Sequence, residues 1–303
     1  MTATTERTTR LAVGALLLAG TLFGLMWLPL KYFAAQGISG LVLSLTTYGV
    51  VGLLGLPILF SQFRQWRGQK LLLLAGGFFG GATNVAFVYA MMNGSVMRVM
   101  LLFYLAPVWS VVGARFLFHE VLTPLRLTAV AMALCGAVLV LGGPSILSTP
   151  LSVIDLVALA SGLFCAGQNL SSRAAEQVPI MSKTVAILFG CGLLSGLLLP
   201  LTGQPFPPIA FTQVLLLLGF GVFWLVTALW VTMYGVTHLE ASRSAVLLVV
   251  ELAVAVVSAM IIGGERLSIV GWAGAALITT AALIESRIGN SPNPTEKLES
   301  AKQ

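Results

Sequence analysis

Residues 184–237, TVAILFGCGLLSGLLLPLTGQPFPPIAFTQVLLLLGFGVFWLVTALWVTMYGVT, contain no Asp, Glu, Lys, Arg or His. One bilayer crossing takes about 20 predominantly apolar residues, so this stretch is too long for one helix. The QPFPP at 204–208 divides it into two, because consecutive prolines cannot continue a helix and mark a turn. Two membrane helices joined by a short turn are therefore expected here. Working outward with the same rule, breaks at Gly, Pro and charged residues give ten candidate spans. They lie near 11–34, 40–62, 71–92, 96–117, 124–142, 153–172, 183–202, 211–234, 241–262 and 267–286.

Composition agrees with an all-α membrane protein. The chain of 303 residues is 58% hydrophobic and 9% charged, against about a quarter charged in soluble domains, and its mean hydropathy is +0.99. No stretch is polar enough for a separate soluble domain. The N-terminal MTATTERTTR and the apolar run to Leu30 read as an uncleaved first helix, since no small-residue cleavage site stands out. The net charge of +6 does not indicate nucleic acid: the basic residues are scattered singly between apolar runs, without interleaved aromatics that could track a phosphate backbone.

Those basic residues orient the chain, because Lys and Arg near helix ends are retained on the cytoplasmic side. With the N-terminus inside, only Lys31, Arg98 and Arg266 fall outside, and the other thirteen of 16 fall inside. An even number of spans returns the C-terminus to the same side. The expected location is the plasma (inner) membrane with both termini cytoplasmic, and the polar tail 288–303, IGNSPNPTEKLESAKQ, is expected to be disordered.

The two halves match at a constant offset of 145 residues: Tyr89 with Tyr234, Arg98 with Arg243, Leu102 with Leu247, Glu120 with Glu265, Leu122 with Leu267. Five spans separate equivalent positions, and five is odd, so the copies are expected to be inverted relative to each other. The expected organisation is two inverted five-helix repeats, 1–148 and 149–287. Inverted repeats give a route to alternating access, since each half can adopt the other's conformation.

The segment LLFYLAPVWSVVGARFLFHEVLTPLRLTAVAMALCGAVLVLGG at 101–143 resembles the end of an EamA-type domain of the drug/metabolite transporter superfamily, and LLVVELAVAVVSAMIIGGERLSIVGWAGAALITTAALIES at 247–286 is similar to the same pattern. The shared features are an apolar helix with a mid-helix Pro, a terminal Glu before Leu, and a Gly/Ala-rich helix. Pro107 fits; the second copy has Leu252 in its place, with Glu251 just before it. The resemblance implies ten helices, cytoplasmic termini, a central cavity lined by helices 1, 3, 4, 6, 8 and 9, and export of metabolites such as amino acids. Aromatic amino acid exporters are the nearest comparison.

Polar groups inside spans are costly and are candidates for function. Glu251, halfway along the ninth span, is either a group that binds a proton or a substrate amine, or a neutral acid bracing neighbouring helices. Lys31, after Trp27 and Pro29, could meet a substrate carboxylate or snorkel to the interface. Gln168 and Asn169 on the sixth span point in different directions, so at most one faces a given cavity. Asn84, Tyr89 and Tyr104 in the first half, and Trp224 and Tyr234 in the second, suit an amphipathic ligand; ordinary packing is the alternative for each. Glu120 and Glu265 are expected to make loop-to-helix hydrogen bonds, and Gly76, Gly77, Gly80 and Gly81 to let helices approach closely. Cys135, Cys165 and Cys191 lie in apolar runs without a CxxC or a nearby His, and read as core residues. No Walker A, HExxH, GxSxG or paired intramembrane Asp is present. No catalytic group, metal or other cofactor is therefore expected; the partners are a small-molecule substrate and the lipid bilayer. The alternative to a transporter is a membrane-embedded enzyme or partner subunit.

Overall fold

The computed structural model describes residues 3–117, 123–140, 151–202, 210–238 and 250–288. Among these the chain is helical and contains no strand. Seven segments are long and apolar enough to cross a membrane: α1 (Arg10–Ala35), α2 (Gly40–Ser61), α3 (Phe63–Asn93), α4 (Val96–Leu117), α6 (Val153–Ala174), α7 (Ile180–Leu201) and α8 (Phe211–Thr232). Three shorter apolar helices occupy the places of the fifth, ninth and tenth expected spans: α5 (Leu127–Val140), α9 (Val250–Ile261) and α10 (Ile269–Ile284). The QPFPP turn, Glu120, Arg243 and residues 289–303 of the expected tail lie outside the described residues.

Helix packing obeys a two-fold exchange between the halves. The contacts α3–α6, α4–α6 and α3–α7 recur, five helices on, as α8–α1, α9–α1 and α8–α2, while α2–α7, α4–α9 and α5–α10 map onto themselves. Helix directions alternate along the chain. Gly77 and Gly81 of α3 face Ala186 and Gly190 of α7 in the same order, so these two odd helices run parallel; Gly136 of α5 faces Gly274 and Ile278 of α10, with Val140 nearer Gly274, so that pair is antiparallel. The glycine run on α3 serves close packing, as expected. Gly76 faces Ser171 of α6, and Gly80 faces Gln168 and Ile187.

The connections sort to two ends. At one, Gln62 Oε1 accepts from Ser182 Oγ and Gln69 Oε1 from the Gln177 backbone N–H, joining the α2–α3 and α6–α7 turns beside Arg64, Arg67, Lys70, Arg173 and Lys183. Lys31, Arg98 and Arg266 sit at the opposite end, around the α3–α4 turn. The structure thus separates the same basic residues that the charge pattern assigned to opposite faces.

Candidate functional site

Two helices are broken near mid-length, and prolines explain both breaks. In α1 the helix stops at Gly24 and resumes at Trp27. Pro29 has no N–H to give the Leu25 carbonyl, which takes the Leu28 amide instead, and the Met26 amide turns to Phe23 O. That leaves the Leu22 carbonyl to accept from the Trp224 indole at 3.0 Å. Trp224 is presented by a π-helical turn, Phe220–Leu225, in α8. In α4 the break falls at Tyr104 and Leu105. Pro107 cannot serve the Phe103 carbonyl, which lies against Gly162 of α6, where an added Cβ would be 2.9 Å away. Backbone irregularity inside a membrane is tolerated where protein or an internal cavity surrounds it.

Tyr104, at the second break, belongs to a polar group contributed by three helices. The Glu251 carboxylate of α9 lies within electrostatic range of Tyr104 of α4 and of Cys165 of α6. All three side chains are deep in the bundle yet keep part of their surface accessible. Tyr48 and Cys191 are equally deep but closed off, at 4% and 0% exposure. Glu251, Tyr104 and Cys165 thus form a polar group of partly exposed side chains from three helices. Gly24 of α1 lets that helix approach α9 closely: a Cβ there would be 2.7 Å from the Glu251 backbone carbonyl oxygen.

The other expected site residues divide. Asn169 is exposed and its amide points at Cys165 Sγ, 3.9 Å away, on the Glu251 side of α6. Gln168 lies against Gly80 of α3, and the Asn84 amide donates to the Gly80 carbonyl at 2.8 Å. The adjacent amides do point differently. Trp27 is buried, at 6% exposure, and its indole donates to Ser258 Oγ of α9 at 2.9 Å, so it sits in the packed half of the α1–α9 seam. Tyr89 and Tyr234 are not brought to Glu251. Tyr89 lines a separate cavity of about 750 Å³ with Ser39, Phe78, Val85, Phe164 and Leu198, and Tyr234 stacks on the exposed Trp230.

Lys31 is spoken for at one end of the bundle: its ammonium donates to the carbonyl oxygens of Gly94 at 2.6 Å and Met92 at 3.3 Å, at the end of α3. The start of α4 is held from two further sides. Glu265 accepts from Ser95 Oγ at 2.7 Å, Val96 N at 2.7 Å and Met97 N at 3.0 Å, a carboxylate on a helix N-terminus as the charge of that end favours. Arg98 grips Asp155 with two nitrogens, at 2.7 and 2.8 Å. Glu265 therefore makes the loop-to-helix bonds expected of it. Above the site the bundle is shut: Leu30, Met97, Met100, Leu101 and Leu102 are all at most 1% exposed.

Sequence reasoning missed Ser258, Asp155 and the part Cys165 plays. Asp155 carried a signal, since Ser152-x-x-Asp155 is a capping box that the structure forms. Nothing in the sequence tied it to Arg98. Cys165 looked like any core residue.

Fourteen chains of known structure match this one. One, a crystal structure described only as that of a protein, is 18% identical and superposes with a TM-score of 0.57 over 92% of this chain and 99% of its own. That likeness shows the fold. No curated protein matches the chain. The model of the EamA-like transporter family matches twice, at residues 10–142 and 152–287, which are the two halves that the packing relates. The chain belongs to the EamA-like transporter family, whose members move small molecules across membranes as multi-pass helical proteins.

Proposed function

We propose that this chain is a secondary transporter of ten membrane-spanning helices in two inverted halves, resident in the plasma membrane with both termini cytoplasmic. It exports amino acids, aromatic or large neutral ones favoured, or similar small metabolites, by alternating access. The observation that carries the reading is the reachable polar group of Glu251, Tyr104 and Cys165, set beside the helix breaks where halves related by a two-fold exchange meet. Inverted repeats with interrupted helices at the midplane are the usual build of such carriers. Closure above the site, with Met97 and Leu101 buried, supports a state in which access is from the opposite, basic end. Flux of radiolabelled solutes into liposomes containing only this chain tests the proposal, starting with aromatic and large neutral amino acids. Ala in place of Trp27, Asn84, Tyr104, Gln168 or Trp224 is expected to change apparent substrate affinity more than protein abundance; five variants with parental kinetics would reject the site.

A further inference from the structure

Helix α3 is wedged between α6 and α7 on two of its faces and stands open on a third. Gly77 and Gly81 bring it against Ala186 and Gly190 of α7, and Gly167 of α6 receives the Phe79 ring. The stripe Phe78, Ala82, Val85, Ala86, Tyr89 and Asn93 recurs every three or four residues, so it is one helix face. It floors the cavity of about 750 Å³ in which Tyr89 lies. Phe164 of α6 and Leu194 and Leu198 of α7 form its walls, and the α1–α2 turn at Gly37–Gly40 closes one end. Ile38, Val85 and Met92 are buried, whereas Phe78 and Leu198 are 53% and 39% exposed, so the cavity has a packed back and an open flank. At the depth of Phe78 that flank faces the hydrocarbon of the bilayer.

The cavity is polar at one end only. Ser39 caps the start of α2, Asn93 is the last residue of α3 and Thr202 caps the end of α7, so with Tyr89 every polar side chain of the lining lies at the end that carries Lys31 and Arg98. Three of these groups are already engaged locally: Ser39 Oγ accepts from the Val42 amide, Asn93 donates to Tyr89 O and Thr202 to Leu199 O. No charged side chain is among the lining residues. Below Tyr89 the walls are apolar down to Phe78 and Phe164. The floor from Asn93 to Phe78 covers about 22 Å at 1.5 Å per residue, against about 15 Å for half of the hydrocarbon core. The cavity therefore starts at the membrane surface and reaches past the midplane.

We infer that this cavity is a lipid site, which takes one acyl chain of a phospholipid from the leaflet at the Lys31 end. The polar part of the lipid stays beside Ser39, Asn93 and Thr202, and the chain ends between Phe78 and Phe164. Apolar walls hold no water, and left empty they forfeit their dispersion contacts. A chain fills them by sliding through the open flank without leaving the bilayer. A solute with a charged group finds no counter-charge here and must be desolvated. The uncharged rim also means that the chain is recognised and the head-group charge is not. Since α3 belongs to one half and α6 and α7 to the other, the seated chain bridges the halves. The site is distinct from the Glu251 group, and it requires a membrane-inserted chain but not the transport reading.

The test places the full-length protein in bilayers of phosphatidylcholine or phosphatidylglycerol, extracts it into detergent and weighs the intact complex by native mass spectrometry. One retained phospholipid per chain is expected from either bilayer. Ala82→Phe and Ala86→Phe put a ring into the slot and should lower that retention about tenfold, with Ala86→Leu as the milder filling if both fail to fold. A second measurement needs no variant: a phosphatidylcholine with a photoreactive group near the end of one chain should label the peptides of Phe164 and Leu194 about tenfold more than that of Phe223, which is 77% exposed and meets only passing lipid. Retention unchanged in the filled variants, labelling no denser at Phe164 and Leu194 than at Phe223, or no lipid retained from either bilayer overturns the inference. A tenfold preference for one head group overturns chain recognition, and a bound mass that is not a phospholipid overturns the occupant.

Discussion

Removing the Glu265 carboxylate is expected to open the end of the bundle that it closes. Its two oxygens accept three hydrogen bonds, from Ser95 Oγ, Val96 N and Met97 N, all at 3.0 Å or less. At a partly exposed position each contributes about 0.5–1.5 kcal/mol, so Glu265→Ala forfeits about 2–3 kcal/mol of the closed state if the three bonds are absent from the open one. A loss of that size multiplies the open population by about 30 to 150. Met97 reports it: the side chain is 1% exposed, so a cysteine there reacts only through opening. In a background lacking the three native cysteines, Met97→Cys labelling by an impermeant maleimide should accelerate by that factor with Glu265→Ala, and by less with Glu265→Gln, which keeps one acceptor. A labelling rate within about threefold of the parent would refute the idea that this contact holds the end shut.

Replacing Arg98 with Ala leaves Asp155, whose side chain is 6% exposed, without its ion-pair partner. Because Arg98 is itself 37% exposed, the cost is put at about 2 kcal/mol, below the range for fully buried pairs. The Arg98→Ala/Asp155→Asn double variant should recover part of it in the midpoint of thermal unfolding; a double variant no more stable than the single one would contradict the pairing. Gly24→Val places side-chain atoms where the Glu251 carbonyl and Val254 already lie, and overpacking of this kind costs about 1–3 kcal/mol. Gly14→Ala, with nothing within 4 Å of its Cβ, is the control that should be neutral. For topology, Ser300→Cys should resist an impermeant maleimide in intact cells and react after lysis; ready labelling of intact cells would place the C-terminus outside.

Much of the architecture was written in local chemistry. Runs without charge must leave water and lone basic residues must stay at helix ends, so the apolar helices and the separation of charges follow from residue order, whereas the two breaks do not, since Pro57 and Pro200 lie inside α2 and α7. The 145-residue echo of Tyr89, Arg98 and Glu120 also fixed the presence of two related halves, which the family match at 10–142 and 152–287 bears out. Which side chains meet was not legible, because in an apolar bundle nearly every helix face can be buried and periodicity no longer marks one as the core. Tertiary packing alone assigned Lys31 to the end of α3, Trp27 to Ser258, Arg98 to Asp155 and Tyr89 to a cavity apart from Glu251. It did so through close approaches that only glycines such as Gly24 and Gly162 permit, since the distance between two helix axes, and not the sequence of either helix, determines which polar atoms can reach each other.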